Sequence, residues 1–255
     1  MTEPYENDAY FQFFKDGPWM LDHGIIHDRS YECFKHVQLL EPVILDVGAN
    51  KGQSIASFLA IFPGAFVHSF ECNPAMLKIL NNMRDVRPSK CERVNIYQFG
   101  LSDQNGEITF SVPVVDGVFY LEETTCEPEV ELDKHRARYQ MRGTDLWTYD
   151  FEAKVFRGDD LGLTPDIIKI DTEGAEPKVI RGLLKTIEKC RPFILSETSC
   201  SEEVNSILRP MGYGNYIDDI DGRIVPIYEG RANVLLVHPS RFKQIKSDFF
   251  VPEQT

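Results

Sequence analysis

An α/β fold built on a mostly parallel sheet is what the sequence predicts. Three observations carry that expectation. From residue 43, short apolar runs alternate with segments of helical spacing. The first run, Val43–Val47, leads into a glycine-bounded turn and then a helix. The second run ends on an acid, Glu71, at the position where such sheets meet a ligand.

Taken in order, Val43–Val47 reads as a buried strand and residues 52–62 as a helix through Ile55, Phe58, Leu59 and Phe62. Ala65–Phe70 is the second strand. Pro74 opens a helix lined by Met76, Leu77, Leu80 and Met83, since proline is tolerated in a first turn. Strands are expected at 94–99, 166–170 and 193–196, with helices over 175–187 and 202–208. Residues 107–112 alternate like half of a hairpin. The end of the chain, 213–217, 224–228 and 232–237, reads as antiparallel strands.

Two stretches stand outside this rhythm. Residues 1–40 read as a helical lead-in to a single domain over 1–255. Asp28 or Ser30 caps a helix whose Tyr31, Phe34, Val37 and Leu40 share a face. The aromatic group Tyr10, Phe11, Phe13, Phe14 and Trp19 is expected to pack on the body. Residues 113–163 form an insertion without clear period, first acidic, then carrying His135, Arg136 and Arg138. It reads either as a substrate lid or as a solvated loop.

Bulk properties narrow the partners. At 255 residues and 42% hydrophobic, the chain supports one large core. A net charge of −13 argues against nucleic acid and against an anionic membrane surface. Six cysteines without a Cys-x-x-Cys pair suit reduced thiols. The polar acidic start is unlike a signal peptide, and no apolar run reaches membrane-span length. A soluble, cytoplasmic protein is expected.

The chemistry concentrates at the strand ends. In Gly48-Ala-Asn-Lys-Gly52, asparagine stands where a dinucleotide fingerprint needs its second glycine, and its side chain would crowd a pyrophosphate. A phosphate-free nucleoside tolerates it, and Asn50 can bond the amino-acid part of such a ligand. Asp46, Gly48, Asn50, Gly52 and Ser54 are therefore cofactor candidates. Glu71, followed by Cys72, is placed to accept both ribose hydroxyls, while Asn73 can cap the next helix. Ser102 and Asp103 end the third strand near the adenine position, or else form a plain turn.

Further along, Asp171, Glu173 and Glu197 fall at the ends of the fourth and fifth parallel strands. Three acids so close need a cation: a sulfonium, Lys169, or a divalent metal on Asp171 and Glu197. Glu173 is the favoured general base, with Asp171 positioning and Glu197 the alternative base. Glu176 suits the structural role of a cap at the helix start.

The segments Leu45-Asp-Val-Gly-Ala-Asn-Lys-Gly52, Phe70-Glu-Cys-Asn-Pro74, Gly100-Leu-Ser-Asp103, Ile168-Lys-Ile-Asp-Thr-Glu-Gly-Ala-Glu176 and Pro192-Phe-Ile-Leu-Ser-Glu197 resemble the FkbM family in both content and order. The resemblance implies a Rossmann-like class I methyltransferase, with a mostly parallel seven-stranded sheet, helices on both faces and an antiparallel C-terminal strand pair. It implies S-adenosylmethionine as donor, with Gly48, Asn50, Gly52 and Glu71 as contacts. It also implies an acceptor hydroxyl on a saccharide or small-molecule metabolite. Cys72 departs from the family, which commonly has proline there. From the residues alone, two other readings stay open: a nicotinamide-dependent oxidoreductase, disfavoured by the missing glycine, and a non-catalytic scaffold, disfavoured by the intact acids. Methyl transfer to nitrogen lacks its usual Asn/Asp-Pro-Pro-aromatic run.

Overall fold

A computed structural model describes residues 16–126, 145–197, 202–219, 221–227 and 233–253. The strands are β1 (Val43–Val47), β2 (Phe66–Phe70), β3 (Val94–Tyr97), β4 (Gly100–Ser102), β5 (Gly106–Val115), β6 (Val118–Phe119), β7 (Leu146–Arg157), β8 (Ile167–Ile170), β9 (Phe193–Ser196), β10 (Gly214–Asp218), β11 (Ile224–Pro226) and β12 (Val234–Val237). The helices are α1 (Asp16–His23), α2 (Gln53–Ile61), α3 (Pro74–Val86), α4 (Glu176–Gly182), α5 (Leu184–Cys190) and α6 (Glu202–Leu208).

The main sheet runs β11-β10-β12-β9-β8-β1-β2-β3. Its five central and outer strands β9, β8, β1, β2 and β3 are parallel, and β12, β10 and β11 add antiparallel pairings. The sheet thus has eight strands rather than the seven that the resemblance implied, because all three C-terminal segments read from the sequence as antiparallel strands join it. The uninterrupted apolar runs of β1, β8 and β9 follow from burial on both faces. Alternate residues divide between two cores. Ile44, Val67, Ile167 and Phe193 face Phe34, Phe58, Leu80 and Met83 on one side. Leu45, Phe70, Ile168 and Ile194 face Val179, Ile180, Ile187 and Leu208 on the other.

A second sheet, β4-β7-β5-β6, corrects the expectation of an aperiodic stretch from 113. β5 and β7 pair antiparallel over their whole common length, from Gly106↔Val155 to Val115↔Leu146. Trp147, Tyr149, Phe151, Ala153 and Val155 alternate along β7 as a half-buried strand should. Residues 127–144, with His135, Arg136 and Arg138, lie outside the described residues.

Other elements shift locally. The lead-in helix is a 3-10 turn, Arg29–His36, capped by Asp28, which accepts from Ser30 N at 2.7 Å. A period of three aligns Tyr31, Phe34 and Val37, all buried, and the chain then turns away so that Leu40 is exposed. Trp19 is half-exposed and lies tilted against His23 rather than packing inward, while the aromatics at 10–14 lie outside the described residues. The helix expected over 175–187 is two helices meeting at Leu183. Just before that joint, Gly182 abuts the Ser102 carbonyl so closely that no Cβ would fit. β3 stops at Tyr97, and Gly100–Ser102 leaves to join the second sheet.

Candidate active site at the carboxyl edge of the sheet

The turn after β1 is fixed by its own backbone. Gly48 has φ 78°, and a Cβ there would collide with the Asp171 carbonyl. Asn50 adopts the left-handed region at φ 49°, which asparagine tolerates. The N–H groups of Gly48 and Ala49 both donate to Phe70 O, Gly52 N to Ala49 O, and Asn50 N to Glu71 Oε2 at 2.8 Å. The turn's own donors are thus spent, while the first N–H groups of α2, which begins at Gln53 without a side-chain cap, stay open to a ligand.

Glu71 ends β2 and is buried. Besides Asn50 N it accepts Asn73 N at 2.7 Å. Burial raises its pKa against the opposing pull of these donors. Asn73 caps α3 by accepting Ala75 N at 2.9 Å, so the capping role does not fall on Glu71.

A cavity of about 660 Å³ opens here, lined by Gly48, Asn50, Glu71, Cys72, Met76, Phe110, Leu121, Asp171 and Glu173 among others. A second, of about 580 Å³, adjoins it. They share Gly48, Asn50, Glu122, Asp171 and Glu173, and the second adds His27, Tyr31, Gln53, Ser54 and Lys169. Glu122 also pairs with Lys51 of the glycine turn, tying the 121–123 turn across the cavities.

The remaining expected contacts are placed differently. Asp46 is fully buried beneath the turn and lines neither cavity. It accepts Ser54 Oγ at 2.8 Å and Ser69 Oγ at 3.0 Å, with Lys169 Nζ 3.7 Å away. Gly52 packs against Met83 and Leu80. Ser102 and Asp103 are not brought to the cavities. Ser102 bonds Asp103, which pairs with Arg181 at 3.3 Å, because Gly182 draws β4 onto α4.

At the ends of β8 and β9, oxygens of Asp171, Glu173 and Glu197 come within 4.8 Å of one another. Lys169 Nζ donates to Gly48 O at 2.5 Å and lies 3.4 Å from Asp171. Burial would lower the lysine pKa, but Asp171 and Asp46 outweigh it and raise it. For Asp171, burial is outweighed by Lys169 and by a hydrogen bond from Glu197, and the pKa falls. Burial, then the Asp171 charge, pushes Glu197 up to about 8. At neutral pH Asp171 is ionised and Glu197 carries a proton. The three acids have the oxygen chemistry for a hard cation, but Lys169 and that proton already relieve their repulsion.

Glu173 has φ 50°, and its carbonyl accepts Thr125 Oγ1 at 2.7 Å, which clamps the second sheet to this turn. Glu176 takes the structural role: its Oε1 accepts Thr172 N at 2.9 Å, Thr172 Oγ1 and Gly174 N. Sequence reasoning missed His27, Glu122 and Tyr31 as wall residues. A phenol among the phenylalanines of the lead-in was the one available signal.

A glycine turn leading from the first strand into a helix, a buried acid at the second strand end and an acid group beyond the fourth define a class I methyltransferase-like α/β fold. The comparisons agree. A family model described as "Methyltransferase FkbM domain" matches residues 46–220. The chain belongs to the FkbM methyltransferase family. It is 34% identical over 180 residues to the 2-O-methyltransferase NoeI of Sinorhizobium fredii, covering 65% of this chain and 68% of that protein. Its fold is similar to the crystal structure of methyltransferase FkbM from Methylobacillus flagellatus, with a TM-score of 0.51 and 15% identity. That match covers 88% of this chain and 58% of the other. Among the described residues, no helix is long and apolar enough to cross a membrane, and Cys33, Cys72, Cys91, Cys126 and Cys190 are free thiols.

Proposed function

We propose that this protein transfers the methyl group of S-adenosylmethionine to a hydroxyl oxygen of a saccharide or similar polyhydroxylated small molecule. The observation that carries the reading is the turn itself. Gly48, Ala49, Asn50 and Gly52 N–H are all committed within the protein, and the buried Glu71 carboxylate stands at the mouth of the adjoining cavity. The Asn50 side chain, standing where a dinucleotide site needs glycine, disfavours a pyrophosphate, and the Glu71 carboxylate suits ribose hydroxyls, which donate to it. The hydroxyl acceptor is supported by the relative named as a 2-O-methyltransferase.

In the reaction, the acceptor oxygen attacks the sulfonium methyl in line. A C–O bond forms, the C–S bond breaks with its electron pair left on sulfur, and the hydroxyl proton passes to a carboxylate. The donor is already activated, so alignment and proton uptake are the protein's tasks. Glu173 borders both cavities and is the base. Asp171, ionised by Lys169 and bonded by Glu197, orients donor and acceptor.

Calorimetry with S-adenosylhomocysteine and with NAD tests the cofactor. Binding of the former alone is expected. Binding of NAD alone would restore the oxidoreductase reading, and binding of neither to folded protein would leave a scaffold.

A further inference from the structure

We infer that the ion pair between Lys51 and Glu122 is a latch over the seam between the two cavities, which opens to admit the methyl donor and to release its demethylated product, and so sets the rate of both. This rests on the S-adenosylmethionine reading above. Of the walls that the cavities share, Gly48, Asn50, Asp171 and Glu173 belong to the turns that follow β1 and β8. Glu122 comes from the opposite side, on the turn that follows β6. Its carboxylate reaches across to Lys51 in the turn after β1, so a bar of two side chains closes the seam from the side of the second sheet. A nucleoside seated against Glu71 and longer than the first cavity lies under that bar.

The two halves of the bar differ. Lys51 is a fixed post. It stands between Asn50 and Gly52, both in the left-handed region, and its carbonyl abuts Gly17 so closely that a Cβ there would collide. Its side chain is 3% exposed. Glu122 is the moving half. Its backbone is pinned on both sides, by Leu121 in the apolar cluster with Met76 and Phe119, and by Thr124, whose hydroxyl accepts Asn73 Nδ2 at 2.8 Å. The Glu122 side chain is 35% exposed, so its carboxylate can turn to water without moving the turn that carries it. Opening takes the counter-charge away from a buried ammonium, so the closed form is the resting one. A gate of this kind makes ligand exchange slower than diffusion allows.

Surface plasmon resonance on the immobilised full chain, with S-adenosylhomocysteine as probe, separates rates from affinity. Lys51→Met removes the post and leaves Glu122 to water. Lys51→Met/Glu122→Gln removes both charges, so neither variant strands a buried ion. Association and dissociation should both rise roughly 10-fold in each variant, the worth of one charge-assisted hydrogen bond, with Kd within about 3-fold of wild type. Melting curves check that each variant is folded. Faster dissociation at an unchanged association rate, or binding lost from a folded variant, would make the pair a ligand contact. Unchanged rates would make it a strut of the wall. Each of these results overturns the inference. If the wild type does not bind the probe, the cofactor reading itself has failed, which is a separate outcome.

Discussion

The carboxyl edge of the sheet holds acids in two different states. Just past β2 and within β1, Glu71 and Asp46 are buried and held by neutral donors: backbone N–H groups for the first, serine hydroxyls for the second. Beyond β8 and β9, Asp171 and Glu197 are held by charge and by a shared proton. Fixed neutral donors make a rigid acceptor whose job is to bind. A carboxylate whose proton is in play can exchange one, which is what a reaction needs. Lys169 joins the two regions, reaching Asp46 on one side and Asp171 on the other.

Cutting that link should have the largest effect. Lys169→Met leaves Asp46 charged, buried and without its cation, and should cost about 3–5 kcal/mol of stability, read from denaturant unfolding. A loss under about 1 kcal/mol would mean that the serine hydroxyls alone sustain Asp46. Next, Glu173→Gln should cut turnover by about 100-fold or more while S-adenosylhomocysteine affinity stays within about 2-fold, since a base acts on rate and not on donor binding. Surviving turnover would move the base to Asp171 or Glu197.

The smallest effect sharpens the comparison by pH. Glu197 has its pKa raised from 4.5 to about 8 by folding. The stability it lends in the protonated form is fully present below 4.5 and is lost as pH rises through about 8. Melting temperature should therefore decline from about pH 4.5 to about 8 and level off above it, and Glu197→Gln should flatten that decline. A parallel decline in the variant would place the titration elsewhere.

These contrasts bear on what could be read from the chain. The parallel strands and the Glu71 corner were legible because a strand buried on both faces must be apolar throughout, so its polar end stands out. The second sheet was not. β7 is half-buried and mixes Asp150, Glu152 and Lys154 with its aromatics, and its partner β5 lies across residues 116–145, so no local turn marks the hairpin. Asp46 looked like a ligand from its place beside the glycine turn, but its direction depends on Ser54, Ser69 and Lys169, which only folding assembles. Tyr31 read as core because a 3-10 turn and an α-helix both align it with Phe34. Asp103 was misdirected by Arg181, a partner far away in sequence.

The central claim is that the turn after β1 and the acid at the end of β2 hold a phosphate-free nucleoside. A crystal structure with S-adenosylhomocysteine bound tests it most directly. The account predicts both ribose hydroxyls at hydrogen-bond distance from the Glu71 carboxylate, with the amino-acid end beside Asn50 in the second cavity. A ribose seated away from Glu71 would contradict it.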